Sequence, residues 1–276
     1  MSLRINQNTM ATSAHRNLTV SDGFLTKSME RLSSGFRINR ASDDAAGLSK
    51  SERLRADIRG INTAVNNAQD GISFVQTAEG ALDEVTSILQ RMNELAVSAA
   101  NTATSDGEAE QSELSELLAQ IDSIGSSTKF AGKAVFSSGA VIFQVGTQSS
   151  DTISVTTQDL SSASLQNGVS TATNVDLSAI DLTTGASGAI ESIRDAIDNI
   201  NQLRAGLGAQ QNRMEHTIAN LNVTSENLQS SESRIRDLDI AAEMVKFTRH
   251  QIMVQAGTAM LAQANTVPQS VLQLLR

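Results

Sequence analysis

The 276 residues carry a formal net charge of −9, with no Trp, Tyr or Cys, one Pro and 3 % aromatic residues. The lack of cysteine excludes disulfides and thiol chemistry, and the scarcity of aromatics argues against the ring-anchored core of a globular enzyme of this length. Residues 61–233 hold six Lys/Arg against twenty-one Asp/Glu, an acidic middle that argues against nucleic acid as a partner.

Near the start, Ala11, Ala14, Leu18, Ser21, Leu25, Ser28 and Leu32 recur at spacings of three and four. A helix with such a stripe must bury it against another helix. Asp43-Asp44, just before Ala45, reads as an N-cap followed by a first-turn acidic residue. From Ala45 to Ala100 runs the longest periodic stretch. Leu54, Ile58, Ile61, Val65, Ala68, Ile72 and Val75 form its first part; after one short step to Ala78 it continues through Leu82, Val85, Leu89, Met92, Ala96 and Ala99. The short step reads as a stammer, a skipped residue that overwinds a coiled coil.

Asn101–Gly107 reads as a turn. A second helix over Glu108–Ser126 then presents Leu114, Leu117, Leu118, Ile121 and Ile124. Ala134–Val145 and Asp151–Thr157 alternate as strands, with Gly146–Ser150 as the hairpin connection. Nineteen of the fifty-one residues from Ser137 to Ser187 are Ser or Thr, a composition that buries little core. A last inner helix from about Gly188 carries Leu207, Met214, Leu221, Leu228 and Ile235, seven apart, with the polar Arg204, Gln211, Ser225 and Glu232 on the alternate seam positions. Met253, Gly257, Met260, Ala264, Val267, Val271 and Leu274 give the terminal stretch its own stripe, and Pro268 predicts a break near Thr266.

These elements predict a mainly α chain: a long antiparallel helical bundle or coiled coil with paired N and C termini and a small β-hairpin region at the distal tip. The expected division is 1–42 with 238–276 as terminal-helix domain, 43–136 with 188–237 as long-helix domain, and 137–187 as a short β and loop tip. His15, His216 and His250 lie far apart without metal-ligand spacing, so no metal, cofactor or catalytic residue is expected. No run reaches the roughly 18 apolar residues of a membrane helix, and the start, Met1-Ser2-Leu3-Arg4, lacks the apolar stretch of a secretory signal. Composition alone therefore implies a cytoplasmic protein.

Lys27–Leu48 (KSMERLSSGFRINRASDDAAGL), Asn67–Leu82 (NAQDGISFVQTAEGAL), Asn212–Asn227 (NRMEHTIANLNVTSEN), Ser233–Asp239 (SRIRDLD) and Leu261–Arg276 (LAQANTVPQSVLQLLR) closely resemble bacterial flagellin. The likeness covers roughly 1–136 and 188–276 and fades between about 140 and 187. It implies a non-enzymatic, extracellular filament subunit that self-assembles into a homopolymer and serves swimming motility. It further implies export by the flagellar type III apparatus without a cleaved signal peptide. The implied partners are an export chaperone on the C-terminal helix, and filament cap and hook-junction proteins. Membrane insertion is not expected.

The resemblance makes Leu18, Leu25, Leu32, Met253, Met260, Val267, Val271 and Leu274 the polymerisation seam of the terminal helices. It makes Ile58, Ile61, Val65, Ile72, Leu207, Met214, Leu221 and Leu228 the inner coiled-coil seam. Gln90, Arg91 and Leu95, with Glu113 on the following helix, match the patch that the flagellin-sensing Toll-like receptor of vertebrates recognises, which also contacts neighbouring subunits. A hook–filament junction protein, sharing such terminal helices, is the alternative reading.

Overall fold

The structure, a computed structural model, describes residues 7–101, 107–161, 177–178 and 180–274, without the side chains of residues 184 and 267–274. Five helices, α1 (Thr9–Ser34), α2 (Ala45–Ala99), α3 (Glu108–Ser127), α4 (Leu182–Arg236) and α5 (Ile240–Leu274), accompany four short strands, β1 (Lys129–Phe130), β2 (Lys133–Ala134), β3 (Gly139–Gln144) and β4 (Thr152–Thr157). The chain is thus mainly α with small antiparallel hairpins, the fold class expected. It divides into two compact units, Met1–Ala56 with Asn227–Arg276 and Asp57–Glu226.

In the first unit, α1 and α5 pair antiparallel. Ser28 meets Glu243, Phe24 stacks on His250, Leu18 faces Gly257, and Asn8 reaches Ala264. The α1 side of the seam is the predicted set, from Ala11 to Leu32. On α5 the seam consists instead of Glu243, Phe247, His250, Val254, Gly257, Leu261 and Ala264, and Met253 and Met260 lie outside it. Of the predicted α5 stripe up to Ala264, Gly257 and Ala264 are shared; the side chains of Val267, Val271 and Leu274 lie outside the described residues. The seam differs because α5 carries large apolar side chains on several sides, so hydrophobicity gives its stripe no phase and only the partner selects one.

The predicted break near Thr266 is also absent: α5 runs through Pro268 to Leu274. A proline lacks the N–H that would bond to the carbonyl four residues earlier. Here that carbonyl, on Ala264, accepts instead from Asn8 Nδ2 at 2.8 Å.

Between α1 and α2, the chain turns at Gly35, whose φ of 74° is left-handed, and buries Ile38. Asp44 caps α2 by accepting from the Gly47 N–H at 2.8 Å. The expected pair is shifted by one: Asp44, not Asp43, is the N-cap, and Asp43 lies in the turn before it. Asp43 accepts from the N–H groups of Asn39 and Arg40 and pairs with Lys27 at 2.6 Å. Backbone bonds from Arg37 N–H to the Arg236 carbonyl and from Leu238 N–H to the Gly35 carbonyl tie the α1–α2 turn to the α4–α5 turn.

In the second unit, α2 runs antiparallel to both α3 and α4, as the contacts Arg91–Glu113, Asn62–Ser225 and Arg204–Asp83 show. The buried seam of α2 is Ile61, Ala64, Ala68, Gly71, Val75, Ala78, Leu82, Val85, Leu89, Met92, Ala96 and Ala99. These alternate three and four without interruption, so the expected stammer does not exist. Val65 and Ile72 are half-buried flanks that outscore the true seam residues Ala64 and Gly71 by hydrophobicity. The seam must be small there: a Cβ on Gly71 would lie 2.8 Å from Met214 Sδ. On α4, Leu207, Met214 and the buried Ser225 follow the predicted seam. The non-helical Gly185 interrupts its first turn, so the regular helix begins close to the predicted start.

The β3–β4 hairpin is antiparallel, pairing Val141 with Val155 and Phe143 with Ile153. The predicted first strand was too long, because Ala134 belongs to a separate hairpin, β1–β2, turned by Ala131 and Gly132 at positive φ. Both hairpins lie against the flank of α2 rather than beyond its end. Phe74 packs edge-on to Phe130 and against Phe143, and Asn67 donates to the Gln144 carbonyl. The predicted turn over Asn101–Gly107 falls mostly outside the described residues.

Candidate assembly surfaces

The α1–α5 pair is loosely closed: of its seam, only Ser21, Ser28, Glu243 and Ala264 are buried, whereas Leu18, Leu25, Leu32, Phe247, Val254 and Leu261 stay half-buried. Apolar area removed from water is what stabilises a helix pair. At the end of the pair, where α1 finishes and α5 begins, sits Glu243, 2 % exposed. It accepts from Ser28 Oγ at 2.8 Å and Lys246 Nζ at 3.0 Å, with Arg31 at 3.9 Å. Burial opposes the charge of Glu243, but Ser28, Lys246 and Arg31 outweigh it and hold the carboxyl below its ordinary range. In the adjoining turn, the hydrogen bond from Lys27 lowers the pKa of Asp43 to about 2, with the Arg40 and Asn39 N–H groups assisting against the cost of burial.

Large apolar side chains stand exposed on both helices of the pair. Met10, Val20, Phe24 and Met29 on α1, and Ile240, Met244, Val245, Ile252, Met253 and Met260 on α5, are each about half exposed or more. Met244, Val245, Ile252 and Met253 line one groove together with Thr248 and Arg249. A cluster of exposed large apolar side chains such as the one on α5 marks an interaction site.

Of the predicted seam residues, Leu18, Leu25 and Leu32 are half-buried against α5, and Met253 and Met260 are exposed. The side chains of Val267, Val271 and Leu274 lie outside the described residues. Of the inner set, Ile61, Leu207 and Met214 are buried, and Ile58, Val65, Ile72, Leu221 and Leu228 are half-buried.

The α2–α3 patch is organised by Arg91. Its Nε donates to Glu113 Oε1 at 2.9 Å and its Nη1 to Glu94 Oε2 at 3.1 Å, and these carboxylates raise the guanidinium's pKa further. Gln90, Arg91 and Glu113 are exposed, whereas Leu95 is buried among the core residues of α2 and α3 and offers little surface. Sequence reasoning missed Glu94, which lies one turn from Arg91, a spacing that brings side chains together on a helix.

Among the described residues, no group of His, Cys, Asp and Glu is placed to hold a metal ion, and no helix is long and apolar enough to cross a membrane.

Residues 5–141 match the bacterial flagellin N-terminal helical region, and residues 190–275 the bacterial flagellin C-terminal helical region. The flagellin of Halalkalibacterium halodurans is 49 % identical over 99 % of both chains. The flagellar filament 33 kDa core protein of Treponema phagedenis is 45 % identical, again over 99 % of both chains. A putative flagellar hook-associated protein from Vibrio parahaemolyticus shares the fold, with a TM-score of 0.59 at 15 % identity over 71 % of this chain and 100 % of that one. The chain belongs to the bacterial flagellin family and is a structural subunit of the flagellar filament, not an enzyme.

Proposed function

We propose that the chain polymerises by burying the outward faces of α1 and α5 against copies of itself. Leu18, Leu25, Leu32, Met253, Met260, Val267, Val271 and Leu274 would lie within the polymer core. The observation that carries this reading is the row of exposed apolar side chains on α5, where Met244, Val245, Ile252 and Met253 line one groove. Each large apolar side chain that becomes fully buried contributes about 1.5–3 kcal/mol. Electron microscopy after adding short filament seeds tests it: the wild type forms long tubes of uniform width. Met253→Asp and Met260→Asp stay monomeric with the second unit folded. Normal filaments from the Asp variants would refute the assignment.

The same loosely closed pair supports export in an unfolded state by the flagellar type III apparatus. Terminal helices whose larger seam residues stay half-buried in isolation open easily and suit passage through a narrow channel. An export chaperone would cover the apolar C-terminal helix beforehand, and cap and hook-junction proteins would contact it at the ends of the filament. Mass spectrometry of filament subunits bears on the signal: removal of an N-terminal segment would contradict an uncleaved one.

The exposed Gln90–Arg91–Glu113 cluster supports two roles, contact with the neighbouring subunit and recognition of the free chain by the vertebrate Toll-like receptor for flagellin. With Leu95 buried, Arg91 is the side chain most available to a partner. Arg91→Ala is expected to lower receptor reporter signalling by the monomer at least tenfold, an ordinary size for loss of an interface arginine. Unchanged signalling would remove receptor recognition from the patch.

A further inference from the structure

The eight methionines fall into distinct populations. Met92 and Met214 are fully buried in the second unit, whereas Met10, Met29, Met244, Met253 and Met260 stand exposed on α1 and α5, Met253 at 48 % and Met260 at 61 %. Met1 lies outside the described residues. The chain has no Cys, Trp or Tyr, so these outward thioethers are its most readily oxidised groups.

We propose that the outward methionines form an oxidation-sensitive assembly switch, through which a two-electron oxidant such as hydrogen peroxide excludes an unpolymerised chain from the filament. The inference rests on the proposed burial of this face in the polymer. In the reaction, the methionine sulfur attacks one peroxide oxygen, the O–O bond breaks and an S–O bond forms. The sulfur is oxidised by two electrons to the sulfoxide, the peroxide is reduced, and its second oxygen leaves as water.

The product replaces a soft apolar side chain with a strongly polar one. In an apolar interface that oxygen has no hydrogen-bond partner, and burying it unpaired is unfavourable. The lesion is also selective. Burial shields Met92 and Met214, so the second unit keeps its core, and an assembled subunit has its outward methionines covered. Oxidation thus acts on chains not yet incorporated, and reduction of the sulfoxide restores them.

The test uses the full-length chain as monomer, treated with hydrogen peroxide, with peptide mass mapping and seeded elongation as readouts. We expect sulfoxide at the outward methionines before Met92 and Met214, a roughly tenfold or greater loss of elongation, and recovery after the two methionine sulfoxide reductases. A variant with Leu at all the outward positions should elongate and ignore peroxide. If that variant fails to elongate untreated, recovery by the reductases decides alone.

Undiminished elongation by chains carrying these sulfoxides would overturn the inference, as would equal oxidation of Met92 and Met214. The underlying assembly reading is judged separately: if Met253→Asp and Met260→Asp also elongate normally, the face is not buried and both fall. If only the Asp variants are blocked, the assembly reading survives and the switch does not.

Discussion

Asn8 serves two helices with one side chain. Its Oδ1 accepts from the Ala11 N–H at 3.0 Å and caps α1, while its Nδ2 donates to the Ala264 carbonyl that Pro268 leaves free. Asn8→Ala should therefore cost about 1–2 kcal/mol, a lost cap together with an orphaned carbonyl. Loss of hydrogen-exchange protection at both Ala11 and the end of α5 would reveal it, and a change confined to α1 would reduce Asn8 to a cap. Asp43 carries the other residue-scale prediction. Its pKa is lowered from 3.8 to about 2 by Lys27, so its stabilising contribution is full above pH 4 or so and is lost as pH falls from 3.8 through 2. Half of Lys27 is in water, so solvent screening limits the effect, and Asp43→Asn should cost about 1 kcal/mol at pH 7. Denaturant titrations of both chains should differ at pH 7 and converge near pH 2.

At the scale of elements, the second unit depends on a narrow seam. A Cβ on Gly71 meets Met214 Sδ at 2.8 Å and the Phe143 ring at 3.3 Å. Gly71→Val should overpack the seam by about 1–3 kcal/mol despite leaving no polar group unpaired, read as a lower denaturation midpoint of the second unit. The polar residues of α4 on the same seam are partnered: Arg204 pairs with Asp83 at 3.2 Å, and Gln211 donates to Glu215. Residues of this kind in a coiled-coil seam set register at some cost in stability. The hairpins add a clamp, since Phe74 of α2 receives Phe130 and Phe143 from different hairpins at centroid distances of 5.8 and 5.7 Å.

For the molecule as a whole, the two units differ in how far their own side chains complete them. The second buries a continuous core from α2, α3, α4 and the hairpins. The first holds α1 to α5 along one seam whose larger apolar residues, such as Leu18, Leu25, Phe247 and Leu261, stay half-buried. Glu243 has a lowered pKa, so its contribution is present above its ordinary value of 4.5 and is lost as pH falls below it. Acid should loosen the α1–α5 pair while the second unit stays helical. Hydrogen exchange at pH 6 and pH 3 would show α1 and α5 losing protection first, and Glu243→Gln should blunt the difference. Uniform loss across both units would contradict this division.

Local pattern determined much of the architecture. The positions of the helices, the β3–β4 pairing and the α1 stripe were legible because amphipathic periods of 3.6 and 2 point each element's apolar side inward. Small residues escaped this reading. Ala64 and Gly71 carry too little hydrophobicity to outrank Val65 and Ile72, yet close helix approach selects them. The β1–β2 hairpin left only the short signal of Ala131-Gly132. On α5 the pattern had no phase at all, so Met253 and Met260 could not be told from Val254 and Leu261. The Pro268 break failed for a related reason: the carbonyl that proline abandons finds its donor on Asn8, at the other end of the chain. Sequence alone determined which stretches are helical and that the ends must pair. Tertiary structure decided the face of α5 that meets α1 and the face left bare, because that choice depends on the partner's shape and hydrogen bonds rather than on the helix's own composition.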